Sequence, residues 1–333
     1  MPQEFASNRY DQMSYRRCGA SGLMLPLISL GFWQALGEPG QEEECRRCAY
    51  SAFDHGITHF DLANNYGPPP GNSESVVGKI LKDMPRDELI ISTKAGYYMW
   101  PGPYGDHGSK KYLVASLDQS LKRLGLEYVD IFYHHRPDHE TPMEETMAAL
   151  DLIVRQGKAL YVGVSSYSGR DYHKAVEIMK QHDWAPITIH QPYYNMVSPG
   201  IEGDLLPQTS QNGTGIIAFC PLAGGTITDR YLNGLPPDSR QGKQGESGQR
   251  WWNEQEEKGV FERLRQLNDI AKQRDQSLAQ MALAWTLRLP SVTSALIGAS
   301  SVKQVEENVA TIKNLEFSSD ELSRIQSIVQ NWP

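Results

Sequence analysis

From Leu27 onward, short apolar or β-branched runs alternate with amphipathic stretches whose apolar residues recur at helical spacing. The runs read as strands at Leu27–Gly31, Thr58–Asp61, Leu89–Lys94, Val129–His135, Ala159–Ser165, Ile187–Gln191, Ile216–Phe219 and Ser294–Gly298. Between them the pattern predicts helices around Glu42–His55, Ser73–Leu81, Tyr112–Leu124, Met143–Arg155, Arg170–Gln181 and Glu202–Gln211. Two further helices, Phe261–Arg274 and Leu278–Leu287, precede the last strand, and Val302–Ile312 follows it. Eight strand–helix units in 333 residues fit a closed (β/α)8 TIM barrel better than an open doubly wound sheet. No GxGxxG and no Walker A loop follows any strand, which weakens a Rossmann or P-loop reading further.

The flanks extend this single domain, residues 1–333. Met13–Leu25, with Gly19 and Gly22 inside it, is expected to be a small hairpin plugging the barrel floor. Ser318–Val329 opens Ser-Ser-Asp-Glu, an N-cap followed by an acidic first turn, and reads as an extra C-terminal helix. One segment breaks the rhythm: Asn233 to Glu257 is polar, rich in Gly and Pro, and far longer than the ~2–6 residues typical of a βα loop. After the seventh strand it falls on the catalytic face of a barrel, so it is read as a lid or flexible loop with Trp251 and Trp252 as its apolar contacts.

Composition narrows the class. A 39% hydrophobic content supports a sizeable core, and a formal charge of -8 without Lys/Arg clusters argues against a nucleic-acid partner. The N-terminal stretch lacks the apolar core of a signal peptide and no run approaches a membrane span, so a cytoplasmic protein with no membrane partner is expected. Four cysteines make no disulfide framework. Cys45 and Cys48 form a CxxC, but they share one helical face with Ala49, Ala52 and Phe53 and read as small buried residues rather than zinc ligands.

Chemistry converges on the ends of the second, third and fourth strands. In a βα barrel these ends open into one mouth, and here they carry Asp61, Lys94 and the pair His134–His135, with Tyr66 in the loop after Asp61. That set suits carbonyl reduction. A carbonyl accepting hydride develops an oxyanion, which needs a proton donor and a positive neighbour held ready. Tyr66 would give the proton, Lys94 would stabilise the phenolate of a group whose free pKa is about 10, and Asp61 would position the lysine. Adjacent strand residues face opposite sides, so one of His134 and His135 enters the mouth, and parity alone leaves the choice open. A metal-dependent hydrolase would need converging ligands, commonly an HxH pair, and none is present.

At these residues the chain resembles the aldo-keto reductases. HFDLANNYG is similar to the family's Asp…Tyr motif, ISTKAG to its lysine strand and VDIFYHHRPD to its histidine strand. The resemblance implies Asp61, Tyr66, Lys94 and His135 as a catalytic tetrad, and NADPH lying across the barrel mouth without a GxGxxG. It implies further that Ser165 and Ser166 of GVSSYS, with Gln191 of HQPYYN, contact the carboxamide, Ser166 standing where an Asn is frequent. In FCPLAGG, Phe219 would stack on the nicotinamide, while Cys220, Pro221, Leu222 and Gly224 continue the segment toward the pyrophosphate. Ser300, Gln304, Glu307 and Asn308 match the 2′-phosphate segment of the branch that includes the potassium-channel β subunits. Many members carry Arg where Gln304 stands, and Arg230 and Arg240 would supply the missing charge.

Within the family, DLANNYGPPPG, AGYYMWPGPYG, SLDQSLKRLGLEYVDIFY and GKALYVG resemble the bacterial L-glyceraldehyde 3-phosphate reductases, which implies short aldehydes such as methylglyoxal as substrates. Trp33, Tyr97 and Trp100 would line a compact aromatic pocket, Trp33 also bordering the cofactor, and Arg136 would pair with a substrate phosphate or carboxylate, the alternative being an exposed or structurally paired arginine. The branch also implies a homotetramer or homo-octamer. The alternative is an NADPH-binding regulatory or redox-sensing subunit with little turnover; the channel β subunits lack the histidine, so His135 favours catalysis.

Overall fold

The computed structural model describes residues 3–33 and 39–333. Eight parallel strands close into a barrel: β3 (Ile28–Gly31), β4 (His59–Asp61), β5 (Ile90–Ala95), β6 (Val129–His134), β7 (Ala159–Ser165), β8 (Ile187–Gln191), β9 (Gly215–Ala218) and β10 (Val292–Gly298). They pair in chain order, with β10 closing onto β3. Helices α1 (Glu42–Asp54), α2 (Asn72–Leu81), α3 (Lys110–Leu124), α4 (Met143–Arg155), α5 (Gly169–Gln181) and α6 (Leu205–Gln211) separate the strands up to β9. Three more, α7 (Glu246–Glu257), α8 (Val260–Gln273) and α9 (Leu278–Leu287), lie between β9 and β10, and α10 (Val302–Val309) and α11 (Ser319–Val329) complete the chain. The expected barrel, its strand positions and the C-terminal helix are all present.

The period of two along each strand divides the core. Ile28, Leu30, Phe60, Ile91, Phe132, Val162, Val164, Ala295 and Ile297 point outward and pack with the apolar faces of the helices. Cys45, Cys48, Ala49, Ala52 and Phe53 form the buried stripe of α1, and burial pushes both thiols up to about 12, so the CxxC is packing. Inside the barrel, Ile131, Tyr133, Ile189, Ile217 and Leu296 make an apolar half, whereas Ser29, His59, Asp61, Ser92, Lys94 and Ser294 are buried polar residues on β10, β3, β4 and β5. Gly163 makes this possible: a Cβ there would lie 2.7 Å from the Tyr133 ring.

The floor is closed by the expected hairpin. β1 (Tyr15–Arg17) pairs antiparallel with β2 (Met24–Pro26), and Cys18, Leu23 and Leu25 insert beneath the apolar lumen residues. Gly19 sits at φ +57 with its Cβ position 2.0 Å from the Gly213 carbonyl, a place only glycine fits. Arg16 ties the hairpin to the start of β10 by donating to the carbonyls of Leu287 (2.8 Å) and Val292 (2.7 Å).

The segment Asn233–Glu257 differs from expectation. It is no continuous loop: residues Glu246–Glu257 are the helix α7, on which Trp252 stacks against Phe261 with centroids 3.8 Å apart while Trp251 packs on Tyr231 at 5.4 Å. The Gly and Pro residues are concentrated in its first half; from Glu246 on, Glu, Gln and Arg favour helix, and averaging composition over the whole segment hid the change. Among the described residues no helix is long and apolar enough to cross a membrane.

Candidate active site

Register brings the polar residues together at the C-terminal ends of the strands. Asp61 lies opposite Ser92, Lys94 opposite Tyr133, and Ser165 opposite Gln191. The Lys94 ammonium forms a short ion pair with Asp61 and donates to the Leu62 carbonyl (2.7 Å) and to the Tyr66 hydroxyl (3.3 Å). Asp61 Oδ1 accepts from Ser92 Oγ at 2.6 Å and from Gln191 Nε2 at 3.2 Å. Ser92 Oγ is in turn 2.9 Å from His59 Nε2.

Strand parity selects the histidine. His134 faces the sheet–helix layer, with Nδ1 2.7 Å from the Tyr167 hydroxyl, and is fully buried there. His135 follows the lumen-facing residues Ile131 and Tyr133 and places its ring edge-on to Tyr66 (5.9 Å between centroids) and to Tyr97 (4.7 Å). Its Nδ1 is buried and has no partner among the described residues. Burial first, and then the neighbouring Lys94, His134 and Arg136, hold His135 well below the usual histidine range, so the imidazole is neutral. Burial likewise drives Lys94 down while Asp61 opposes the fall, and burial followed by Asp61 pushes the Tyr66 phenol well above the tyrosine range. The resting phenol is therefore protonated, with a cation against its oxygen and a neutral imidazole beside it.

The tyrosine's loop is tightly organised. The Tyr66 carbonyl accepts from Gly71 (3.2 Å) and Ser73 (3.3 Å), and Asn64 donates to the Tyr112 hydroxyl (3.1 Å), which itself donates to the Tyr97 carbonyl. Tyr112 thus couples the loop of Tyr66 to the loop of Tyr97. Trp33 lies 6.4 Å from the Tyr66 ring, half-exposed at the mouth, whereas Trp100 packs against Tyr112. Arg136 is already engaged: Nε donates to the Gly96 carbonyl (2.7 Å), Nη2 pairs with Asp106 (2.9 Å), and the guanidinium covers the Tyr97 ring at 4.3 Å.

The other expected residues border the same mouth or its rim. Ser165 donates to the Gln191 carbonyl (2.8 Å), and Ser166 stands exposed in the left-handed region at φ 60, a conformation that also suits the Asn it replaces. Phe219 extends β9 and packs its ring on Tyr193 at 5.6 Å. Cys220, Ala223, Gly224 and Gly225 all have positive φ, a run that bares backbone to the mouth after the buried Pro221 and half-buried Leu222. A Cβ on Gly224 would meet only Arg240 at 3.9 Å, and one on Gly225 nothing within 4 Å, so an anion has room to approach. Arg240 reaches across to lie 5.0 Å over the Trp33 ring, and Arg230 is paired with Asp238 at 2.6 Å. At the start of α10 the Gln304 side chain caps the Ser300 N–H (2.8 Å), Glu307 pairs with Lys303 (3.6 Å), and Asn308 is buried.

The Aldo/keto reductase family matches this chain over residues 27–330. The chain belongs to that family. It is 55% identical over 322 residues to the L-glyceraldehyde 3-phosphate reductase of Escherichia coli (strain K12), covering 95% of this chain and 92% of that one. It is 35% identical over 325 residues to a voltage-gated potassium channel subunit beta-type sequence of Schizosaccharomyces pombe, covering 96% and 94%, and 32% identical over 326 residues to one of Arabidopsis thaliana, covering 96% and 98%. As an aldo/keto reductase the protein is an oxidoreductase of carbonyl groups.

Sequence reasoning missed several polar partners in this aldo/keto reductase site. His59 and Ser92 each stand two positions before a tetrad residue and so share its lumen face, a signal available from parity alone. Tyr112 left no such trace, because its coupling of two loops depends on where α3 packs.

Proposed function

We propose that this aldo/keto reductase reduces small aldehydes to alcohols with NADPH, Tyr66 delivering the proton. One observation carries the reading: the contact series Asp61–Lys94–Tyr66, with the neutral His135 against the phenol, all at one open barrel end. NADPH, when bound, supplies hydride to the carbonyl carbon. Ser165, Ser166, Gln191 and Phe219 would hold its nicotinamide end, the bared backbone from Cys220 to Gly224 with Arg230 and Arg240 its phosphates, and Ser300, Gln304, Glu307 and Asn308 its adenosine end.

The remaining work falls to the chain's own side chains. His135 and Tyr66 bracket the carbonyl oxygen. Tyr66 releases its proton to the oxygen as charge develops there. Lys94 stabilises the phenolate left behind, and Asp61 keeps the ammonium from turning away. Trp33 and Tyr97 restrict the space above, which suits a short aldehyde. Similarity to the Escherichia coli enzyme supports L-glyceraldehyde 3-phosphate or a methylglyoxal-like aldehyde as the substrate. A substrate phosphate that reached Arg136 would take the guanidinium from Asp106.

In this reading the enzyme works in the cytoplasm as a homotetramer or homo-octamer, an assembly that light scattering on the purified chain reports directly. The decisive screen is NADPH oxidation over both glyceraldehyde 3-phosphate enantiomers, methylglyoxal and aromatic aldehydes, with NADH in parallel. Turnover of a short aldehyde with NADPH supports the proposal. Stoichiometric NADPH binding with no turnover across the panel overturns it in favour of a cofactor-sensing subunit.

A further inference from the structure

A one-way chain of hydrogen bonds runs through the polar half of the barrel lumen to Asp61. Ser92 Oγ gives its only proton to Asp61 Oδ1 at 2.6 Å, since an ion-paired carboxylate can only accept. At its 2.9 Å contact with His59 Nε2 the hydroxyl must then accept, which places the imidazole proton on Nε2. His59 Nδ1 is left as an acceptor for Ser29 Oγ at 2.9 Å; Ser29 Oγ lies 2.7 Å from Ser294 Oγ, whose proton also has the Leu27 carbonyl within reach at 3.3 Å. From Ser29 inward, every proton points toward the carboxylate. The members come from four successive strands, β10, β3, β4 and β5, and all are fully buried, so no water competes for any of these contacts.

We propose that His59 and Ser92 are positioning residues of the active site: acting through Asp61, they hold Lys94 beneath the Tyr66 phenol and set the pH range in which Tyr66 donates its proton. The proposal rests on the reading of Tyr66 as proton donor. Its physical basis is dispersal of charge. Asp61 raises the phenol, and hydrogen bonds from Ser92 and Gln191 spread the carboxylate charge and moderate that effect. The groups facing Tyr66 are Asp61, Lys94, His135, Tyr97 and Cys220; those facing Lys94 are Asp61, Glu74, Tyr66, Tyr133 and His135. Asp61 and Lys94 are the charges that face His59. Burial holds that imidazole down to about 4, so it stays a neutral, single-tautomer link throughout the working range. A histidine serving only to fill the lumen would not require the directional order, and its loss would leave the titration of Tyr66 unmoved.

The experiment is the pH dependence of the single-turnover rate at saturating NADPH in Ser92→Ala, His59→Leu and Ser92→Thr, the last keeping the hydroxyl. Ser92→Ala and His59→Leu are expected to move the basic limb up by about one pH unit and to slow the step about ten-fold, the scale of one hydrogen bond to a charged group. KM and NADPH affinity should stay within about two-fold, because neither side chain touches the mouth, and Ser92→Thr should track the wild type. If Ser92→Ala does not fold, Ser29→Ala, two links further out, should give a smaller shift of the same sign. An unmoved basic limb in the folded variants overturns the proposal, as does a rate loss with no pH shift. Tyr66→Phe run alongside separates the two levels: retained turnover there refutes the proton-donor reading itself, whereas lost turnover with unshifted relay variants refutes only the relay.

Discussion

Replacing Lys94 by methionine keeps an unbranched side chain one atom shorter and deletes a charge that is completely buried. In the wild type the ammonium meets Asp61, the Leu62 carbonyl at 2.7 Å and the Tyr66 hydroxyl at 3.3 Å. The variant leaves Asp61 a buried anion supported by Ser92 and Gln191 but without its cation. Breaking a buried pair on one side costs about 3–5 kcal/mol, and Coulomb's law at an effective dielectric of ~20 gives ~5 kcal/mol for charges ~3 Å apart, the same scale. Removing both charges is far cheaper. Lys94→Met should therefore lose about 3–5 kcal/mol in urea unfolding, and Asp61→Asn/Lys94→Met should recover at least about half of it. Neither should recover turnover, because the phenol has lost the cation that stabilises its anion; the loss should be about 10²–10⁴-fold. A double variant no more stable than Lys94→Met refutes the coupled pair, and turnover returning with stability refutes the role of Lys94 in the chemistry.

Acid should destabilise the fold through imidazoles buried neutral: His59 and His134 are held down to about 4 and His190 to about 3, burial being the largest cause for each. The unfolded chain takes up these protons as pH falls through about 6.5 while the folded chain does not, so stability is full above that pH and drops by about 4 kcal/mol per pH unit well inside the window down to pH 4. Urea midpoints at pH 7.5 and 5.0 check this, and equal midpoints contradict it. Arg136→Ala should free the Tyr97 loop and slow every aldehyde, whereas Asp106→Asn should leave the guanidinium free and tighten phosphorylated substrates selectively; a purely structural arginine would show no such difference in KM. Trp252→Ala removes a ring stacked 3.8 Å from Phe261 and should loosen α7. If the 233–257 segment works as a lid, stopped-flow NADPH release should accelerate at least about five-fold, and an unchanged rate removes the lid role.

How much of this was legible follows from where each signal is stored. The strands are local apolar runs of the right length, so Ala159–Ser165 and Ile187–Gln191 could be bounded to the residue. The meeting of Asp61 and Lys94 was legible for a similar reason: both sit at strand ends, and register then brings them together without further information. Choosing His135 over His134 needed the phase of β6, which the lumen-facing Ile131 and Tyr133 supply once the barrel exists. The partner of Arg136 was beyond reach because Asp106 comes from a neighbouring loop whose path no periodicity describes. The helix α7 was missed through averaging, its helix formers being diluted by the Gly and Pro residues before it.

The central claim is that the Tyr66 phenol, with Lys94 beneath it and His135 beside it, donates the proton in aldehyde reduction. Tyr66→Phe keeps the ring and deletes that proton, so the single-turnover rate of NADPH oxidation with a short aldehyde measures the claim directly. A fall of about 10²–10⁴-fold with NADPH affinity unchanged is the predicted result. A rate within a few-fold of the wild type would contradict it.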